Sequence, residues 1–159
     1  VEPGPLGWDE IEFMISPNVG EDLKPLARIV SGGELSRAML GLQSLLAGQE
    51  RVGTIIFDEV DAGIGGAVAE VVGRKLKELA SFHQVICITH LPQIAAFGQK
   101  HHQVFKEVRD QRTVTGIRPL SNKEVVAEIA RMAGGLKPTD KIMETAGEMI
   151  AQAQKRPDS

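Results

Sequence analysis

The sequence predicts an α/β protein with a mainly parallel sheet flanked by helices and an antiparallel hairpin at the sheet margin. Two short apolar runs enclose a segment with helical spacing, and two later runs are separated by a short polar turn. Strands that are apolar nearly throughout are typical of parallel sheets covered on both faces. One core is expected, because a chain of 159 residues with 42% apolar residues has the size of a single domain.

The ends of the chain are predicted to lie outside this domain. Residues 1–7 contain two prolines and two glycines, a composition that indicates a linker or an edge. The folded lobe is predicted over residues 8–154, and residues 155–159 are predicted to form a flexible tail. Within the lobe, polar and apolar residues alternate over positions 8–15, which predicts a strand followed by a loop to about Val30.

The elements after residue 30 follow from their spacing. Apolar residues three and four apart predict a helix that begins near Ser31 and ends at Gly48. Strands are predicted at 53–57 and 85–89 around a helix that ends near Leu79, with a right-handed crossover. A hairpin is predicted from strands 103–108 and 113–120. Two capped helices follow, one with a capping box of Ser121 and Glu124 and one capped by Thr139.

Composition excludes several classes of protein. The net charge is −3 and basic residues are scattered, so the chain lacks the basic stripe with which proteins grip the DNA backbone unaided. No apolar stretch reaches the roughly 20 residues of a membrane span, and a cytoplasmic setting is expected. The single cysteine, Cys87, lies in an apolar run, where a buried and unreactive thiol is expected.

Residues 31–34 open the first helix with the sequence Ser-Gly-Gly-Glu. A Ser followed three residues later by Glu is an ordinary helix cap. The same segment could bind an anion, because glycines let a phosphate approach the unpaired N–H groups at a helix start. Both interpretations can hold together.

Asp58 and Glu59 follow a predicted buried strand, and His90 follows the next one. Open α/β sheets usually build their sites at this carboxyl edge. Asp58 could hold Mg²⁺ and Glu59 could activate water, although loop acids at a strand end are often only solvated. A neutral His90 could bond a γ-phosphate oxygen.

The remaining histidines and a missing phosphate-binding motif limit what the predicted site contains. Three further histidines have no other Cys or His at the spacing of metal ligands and are expected at the surface: His83, His101 and His102. The chain contains no G-x-x-x-x-G-K-[ST] loop, so the phosphate cradle of a nucleotide site would have to come from elsewhere.

Four blocks resemble the RecN family of bacterial double-strand-break repair ATPases, in the SMC branch of ABC-type ATPases: residues 27–37, 57–66, 89–95 and 128–132. The resemblance implies the C-terminal lobe of a P-loop NTPase-like ATPase head. Its expected companions are an N-terminal lobe with the phosphate loop, a coiled-coil arm, and a second head that sandwiches ATP and Mg²⁺. DNA would be bound by the full-length protein, which would associate with the nucleoid.

The resemblance also implies roles for single residues. Ser31, Gly32, Gly33 and Glu34 would contact ATP held by the second head, and Asp58 would contact Mg²⁺ through water. Glu59 and His90 would be catalytic, and Asp61 would be the acid that crosses between heads. The pattern after Asp61 departs from many members of the superfamily but suits this family.

Two other functions stay open. A nonenzymatic module that only engages other heads would not need the two adjacent acids at 58 and 59. The ATPase subunit of a membrane transporter usually has Gln at the end of the signature and Pro after the catalytic Glu, where this chain has Glu34 and Val60.

Overall fold

The computed structural model describes residues 4, 7–9, 11–16, 20, 22–28, 31–49, 52–109 and 111–155. The elements within these residues are, in chain order, β1 (Met14–Ile15), β2 (Lys24–Pro25), a 3-10 turn (Leu26–Arg28), α1 (Gly32–Leu46), β3 (Thr54–Phe57), α2 (Gly66–Leu79), β4 (Gln84–Cys87), α3 (Pro92–Ala95), β5 (His102–Arg109), β6 (Arg112–Pro119), α4 (Asn122–Gly134) and α5 (Asp140–Gln154).

The strand, helix, strand unit at the centre of the prediction is confirmed. β3 and β4 pair in parallel, from Thr54 opposite Gln84 to Phe57 opposite Cys87. Helix α2 lies between them in sequence and packs its apolar side into the same core as Leu40 of α1 and Phe57 of β3. The carboxyl ends of both strands therefore lie side by side, which is where the candidate site residues follow.

The expectation that this sheet is covered on both faces is wrong for the described residues. Side chains alternate along β3, where Phe57 is buried and Ile56 is 65% exposed. Ile86 and Ile88 are also exposed. Continuous apolar character predicts two covered faces, but the helices described here cover only one of them. We call the surface of Ile56, Ile86 and Ile88 the open sheet face.

The strand predicted over residues 8–15 is much shorter than expected. Only Met14 and Ile15 pair, with Pro25 and Lys24, and Trp8 is 69% exposed. Alternation indicates a half-buried strand only where another layer covers the apolar side, and no described element covers this one. Of the predicted linker only Gly4 and Gly7 are described, and of the tail only Lys155, so both remain predictions.

The second half of the chain forms the predicted hairpin and helices. β5 and β6 are antiparallel, from His102 opposite Pro119 to Arg109 opposite Arg112. The capping box of Ser121 and Glu124 is present at the start of α4. Helices α4 and α5 and the residue after α3 form a second core, with several buried side chains: Ala96, Val125, Ile129, Ala130, Ala146 and Ala153. The short helix α3 was not predicted.

Candidate functional site

Three segments meet at the carboxyl edge of β3 and β4. They are the start of α1, the loop of residues 58–63, which we call the acid loop, and residues 88–91, which we call the switch loop. Ser36 Oγ of α1 donates to Asp58 O at 2.7 Å. Thr89 Oγ1 of the switch loop donates to Asp61 Oδ2 at 2.6 Å. The acid loop is therefore bonded to both neighbours.

The start of α1 is capped as the sequence predicts. Ser31 has extended backbone angles, and its Oγ accepts a hydrogen bond from Glu34 N at 3.4 Å. This confirms the cap. Ser31, Gly32 and Gly33 lie at the positive end of a 15-residue helix, so an anion site there stays a prediction.

The two glycines at the start of α1, Gly32 and Gly33, also have a role within this chain that the sequence did not indicate. A methyl group added at Gly32 would overlap the Glu59 carboxylate. A methyl group added at Gly33 would lie 2.8 Å from Ala62 Cβ and 3.0 Å from Ala62 O. The absence of side chains at both positions lets the acid loop approach the helix closely.

Asp58 and Glu59 are exposed at the end of β3. Asp58 Oδ1 accepts from Glu59 N at 2.9 Å, and Glu59 has a φ of 56°. A non-glycine residue in the left-handed region typically costs about 1–3 kcal/mol and persists only where its surroundings fix it. With this backbone the Glu59 carboxylate lies against Gly32 at the start of α1.

Asp61 is buried and bonded within the chain. Its residue is only 4% exposed, and Oδ2 accepts from Thr89 Oγ1 at 2.6 Å and His90 N at 2.8 Å. His90 Nδ1 lies 2.9 Å from the same oxygen. Burial acts to raise the pKa of Asp61, but these hydrogen bonds and the charge of His90 outweigh burial and lower it. The carboxylate is thus used inside the chain.

Arg37 is a site residue that the sequence reasoning missed. Its Nη1 donates to Ala62 O at 2.8 Å and to Val60 O at 3.3 Å, the carbonyls on either side of Asp61. Val60, which carries one of these carbonyls, is fully buried. Arg37 stands one turn after Gly33 on α1, but nothing in its spacing indicates a partner 23 to 25 residues away in sequence.

All of the predicted site residues belong to one connected cluster. Glu59 lies against Gly32, the acid loop is bonded to α1, and His90 is bonded to Asp61. Asp58, Glu59 and His90 therefore surround the same edge of the sheet, although no direct bond joins His90 to either acid among the described contacts. Their roles toward a nucleotide remain predictions.

The expectations for the remaining histidines and the cysteine have mixed outcomes. His83 is buried, and its Nδ1 lies 2.7 Å from Val52 O. The prediction of a surface residue is therefore wrong, because the ring packs inside and a backbone carbonyl bonds one of its nitrogens. His101 is half-buried and His102 is exposed. Cys87 is half-buried rather than buried. Burial, with the charges of Asp61 and Asp58, raises the pKa of its thiol to about 12, which favours an unreactive thiol.

Two kinds of feature are absent from the part of the chain that the structure describes. There, no three acidic, histidine or cysteine side chains come together as a ready metal site. No helix among the described residues has both the length and the apolar character to cross a bilayer.

Gly33→Ala is expected to lower the free energy of unfolding by about 1–3 kcal/mol, the usual cost of overpacking. The new methyl group meets the Ala62 backbone and Arg37 Nη1, both within 3.0 Å, so the acid loop must move. Urea unfolding measures the change. Gly32→Ala is the control, since it meets only the movable end of Glu59 and should cost less than about 0.5 kcal/mol. Equal costs for both variants would contradict the packing described here.

The chain is similar to proteins described as DNA repair protein RecN. It is 48% identical over 147 residues to that of Bacillus subtilis, covering 92% of this chain and 26% of the relative. It is 42% identical over 151 residues to that of Vibrio cholerae, covering 94% and 27%. For Treponema pallidum the identity is 48% over 132 residues, covering 83% and 23%. The chain thus spans about a quarter of the length of these relatives.

No protein-family model matches the chain. A solved structure from work on ATP-driven dimerization and DNA-stimulated activation of SMC ATPases aligns with a TM-score of 0.48 at 23% identity, covering 74% of this chain and 70% of that one. The assignment rests on the sequence matches over more than nine-tenths of the chain, and by them the chain belongs to the RecN family as a C-terminal segment.

Proposed function

We propose that this chain is the C-terminal lobe of an SMC-like ATPase head that acts in the repair of DNA double-strand breaks. The observation that carries the proposal is the junction of the start of α1, the acid loop and the switch loop at one edge of a parallel sheet. Loops at the carboxyl ends of such strands are the usual place for nucleotide chemistry. The relatives' name, DNA repair protein RecN, supports the setting.

The exposed side chains of this junction suit ATP and Mg²⁺. Asp58 offers a hard carboxylate oxygen, and Mg²⁺ is often held by only one or two carboxylates with the substrate phosphates. Bound Mg²⁺ would neutralise charge on those phosphates. Glu59 accepts a proton from the attacking water, while Ser31, Gly32, Gly33 and Glu34 present the positive end of α1 to a γ-phosphate.

The burial of Asp61 argues against the role that the resemblance implied. An acid that crosses to a second head needs an accessible carboxylate, whereas Asp61 is 4% exposed and bonded to Thr89 and His90. We therefore place Asp61 among the residues that shape the switch loop. His90, with a side chain that is 74% exposed, remains the member of the pair that can reach a ligand.

The rest of the proposed head must supply the phosphate loop, which this sequence lacks. The open sheet face of Ile56, Ile86 and Ile88 is an apolar surface on which the N-terminal lobe packs. A coiled-coil arm joins the two lobes, and a second head completes each ATP site across a two-fold interface. DNA contacts belong to the full-length protein, in a cytoplasmic and nucleoid-associated setting.

The chain alone is expected to release no phosphate from ATP, because the acid loop lacks a phosphate cradle to work with. Addition of the N-terminal lobe of the same protein should restore hydrolysis, measured as phosphate release. The matched control is the Glu59→Gln chain with the same lobe, which should stay inactive. Rapid hydrolysis by the chain alone, or no nucleotide binding by the combined lobes, would count against the proposal.

A further inference from the structure

One carboxylate oxygen organises the whole switch loop. Asp61 Oδ2 accepts from Thr89 Oγ1 at 2.6 Å and from His90 N at 2.8 Å, and it lies 2.9 Å from His90 Nδ1. Thr89 Oγ1 in turn accepts from Leu91 N at 3.1 Å. The backbone of the loop and the ring of His90 are therefore held by the same buried atom.

The bond to the ring decides which nitrogen carries a proton. An ionised carboxylate only accepts hydrogen bonds, so His90 Nδ1 must be the donor. The pKa of Asp61 is lowered, which keeps its carboxylate ionised at neutral pH. In a neutral ring the proton then lies on Nδ1, and the opposite nitrogen, Nε2, has a free lone pair. No described residue bonds to Nε2, and the side chain is 74% exposed.

We propose that Asp61 is a positioning residue that holds His90 in the Nδ1–H form and turns Nε2 toward the nucleotide site. This inference rests on the proposed function for its ligand. It also changes the chemistry expected of His90. A neutral ring in this form accepts a hydrogen bond at Nε2, for instance from the attacking water. It bonds a phosphate oxygen only when it carries a second proton, because both atoms are otherwise acceptors.

The backbone on both sides of Asp61 is held by hydrogen bonds from Arg37 of α1. Arg37 Nη1 binds the carbonyls of Val60 and Ala62, which flank Asp61 in the chain. The start of α1 is thus linked to His90 through Arg37 and Asp61. A displacement of α1 moves the oxygen on which the ring orientation depends, so the same contacts connect the glycine segment to the switch histidine.

Two other histidines of the chain provide internal references for the ring state. His83 Nδ1 lies 2.7 Å from the carbonyl of Val52, and since a carbonyl only accepts, His83 is an Nδ1–H ring. His101 Nε2 lies 3.1 Å from the carbonyl of Gly98, which makes His101 an Nε2–H ring. We expect His90 to be an Nδ1–H ring like His83 and not an Nε2–H ring like His101.

The test is long-range ¹H–¹⁵N correlation NMR on the chain with ¹⁵N-labelled histidine, without nucleotide, at about pH 8, above the ordinary histidine pKa. His90 should show the Nδ1–H pattern of His83. In Asp61→Ala the ratio of Nδ1–H to Nε2–H should fall about tenfold or more, the loss expected for a charge-assisted hydrogen bond, while His83 and His101 keep their patterns. An Nε2–H pattern for His90 in the unchanged chain would overturn the inference without any variant.

Two conservative variants separate ring positioning from general loosening of the loop. Thr89→Val removes one hydrogen bond to Oδ2 but leaves the ring bond, so His90 should stay Nδ1–H. In Asp61→Asn the amide oxygen can replace Oδ2, because Thr89 Oγ1 and His90 N donate hydrogen bonds to that position. This variant should therefore restore the Nδ1–H pattern that Asp61→Ala loses. Loss of the pattern in Thr89→Val, or no change in Asp61→Ala, would show that Asp61 does not set the ring.

Activity is measured separately in the full-length protein. Asp61→Ala should lower kcat for ATP hydrolysis by about tenfold or more with a smaller change in KM, and Asp61→Asn should recover part of the loss. The ring measurement needs no nucleotide, so a protein that hydrolyses no ATP would refute the proposed function and leave the inference about the ring intact. A protein that hydrolyses ATP but shows the Nε2–H pattern for His90 would refute only the inference about the ring.

Discussion

Glu59→Gln in the full-length protein is expected to slow ATP hydrolysis by about 10²–10⁴-fold, the range for loss of a general base. The amide has the shape of the carboxylate but cannot take a proton from water. Nucleotide binding should persist, because the start of α1 and Asp58 are unchanged and the side chain is exposed. Paired heads with bound ATP should therefore accumulate. Phosphate release and nucleotide retention on the same sample measure both effects.

Glu70→Gln is the matched control for this change. Glu70 lies on α2, is exposed, and bonds only to Arg74 at 3.0 Å among the described contacts. The same chemical substitution there should leave hydrolysis within about twofold, as expected for an exposed ion pair of small energy. Unchanged hydrolysis in Glu59→Gln would remove Glu59 from the role of base. Loss of nucleotide binding as well would show that the variant disturbs the start of α1.

Local chemistry explains the parts of the fold that the sequence predicts. The cap at Ser31 and the capping box at Ser121 each need residues only three apart, so the pattern contains all of the interaction. The parallel pairing of β3 with β4 follows from a short strand, helix, strand segment, for which neighbouring strands are the usual outcome. The convergence of the acid loop and the switch loop is a consequence of that pairing.

The contacts that escaped prediction join residues far apart in sequence. Arg37 and the carbonyl of Ala62 are separated by 25 positions, and Asp61 and His90 N by 29. A buried carboxylate and an exposed one look alike in a sequence, so the burial of Asp61 was not predicted. The burial of His83 was missed for a similar reason, since nothing in the sequence marks the carbonyl of Val52 as the partner of its Nδ1.

The open sheet face is the other feature that local patterns misrepresented. The apolar runs of β3 and β4 predict side chains that are covered on two sides. The described helices cover Phe57 and leave Ile56, Ile86 and Ile88 exposed. The relatives are about four times as long as this chain, which covers 26% of the Bacillus subtilis protein, so the proposed second layer lies in the remaining length.

Ile56→Asp is therefore expected to lower the free energy of unfolding slightly in this chain and strongly in the full-length protein. In this chain the side chain is 65% exposed, and the substitution should cost no more than about 1 kcal/mol of unfolding free energy, the span of strand propensities. In the full-length protein the carboxylate would be buried against the N-terminal lobe without a partner. A cost of about 3 kcal/mol or more is expected there, measured by urea unfolding of the head.

Val71→Asp provides the comparison, because Val71 is 53% exposed on α2 and lies outside the open sheet face. It should cost about 1 kcal/mol or less in both settings. A small cost for Ile56→Asp in the full-length protein would mean that water still reaches this side of the sheet. The N-terminal lobe would then have to approach the acid loop from another direction. A large cost confined to Ile56→Asp in the longer protein places the lobe on the sheet, beside the loop whose missing phosphate cradle it has to supply.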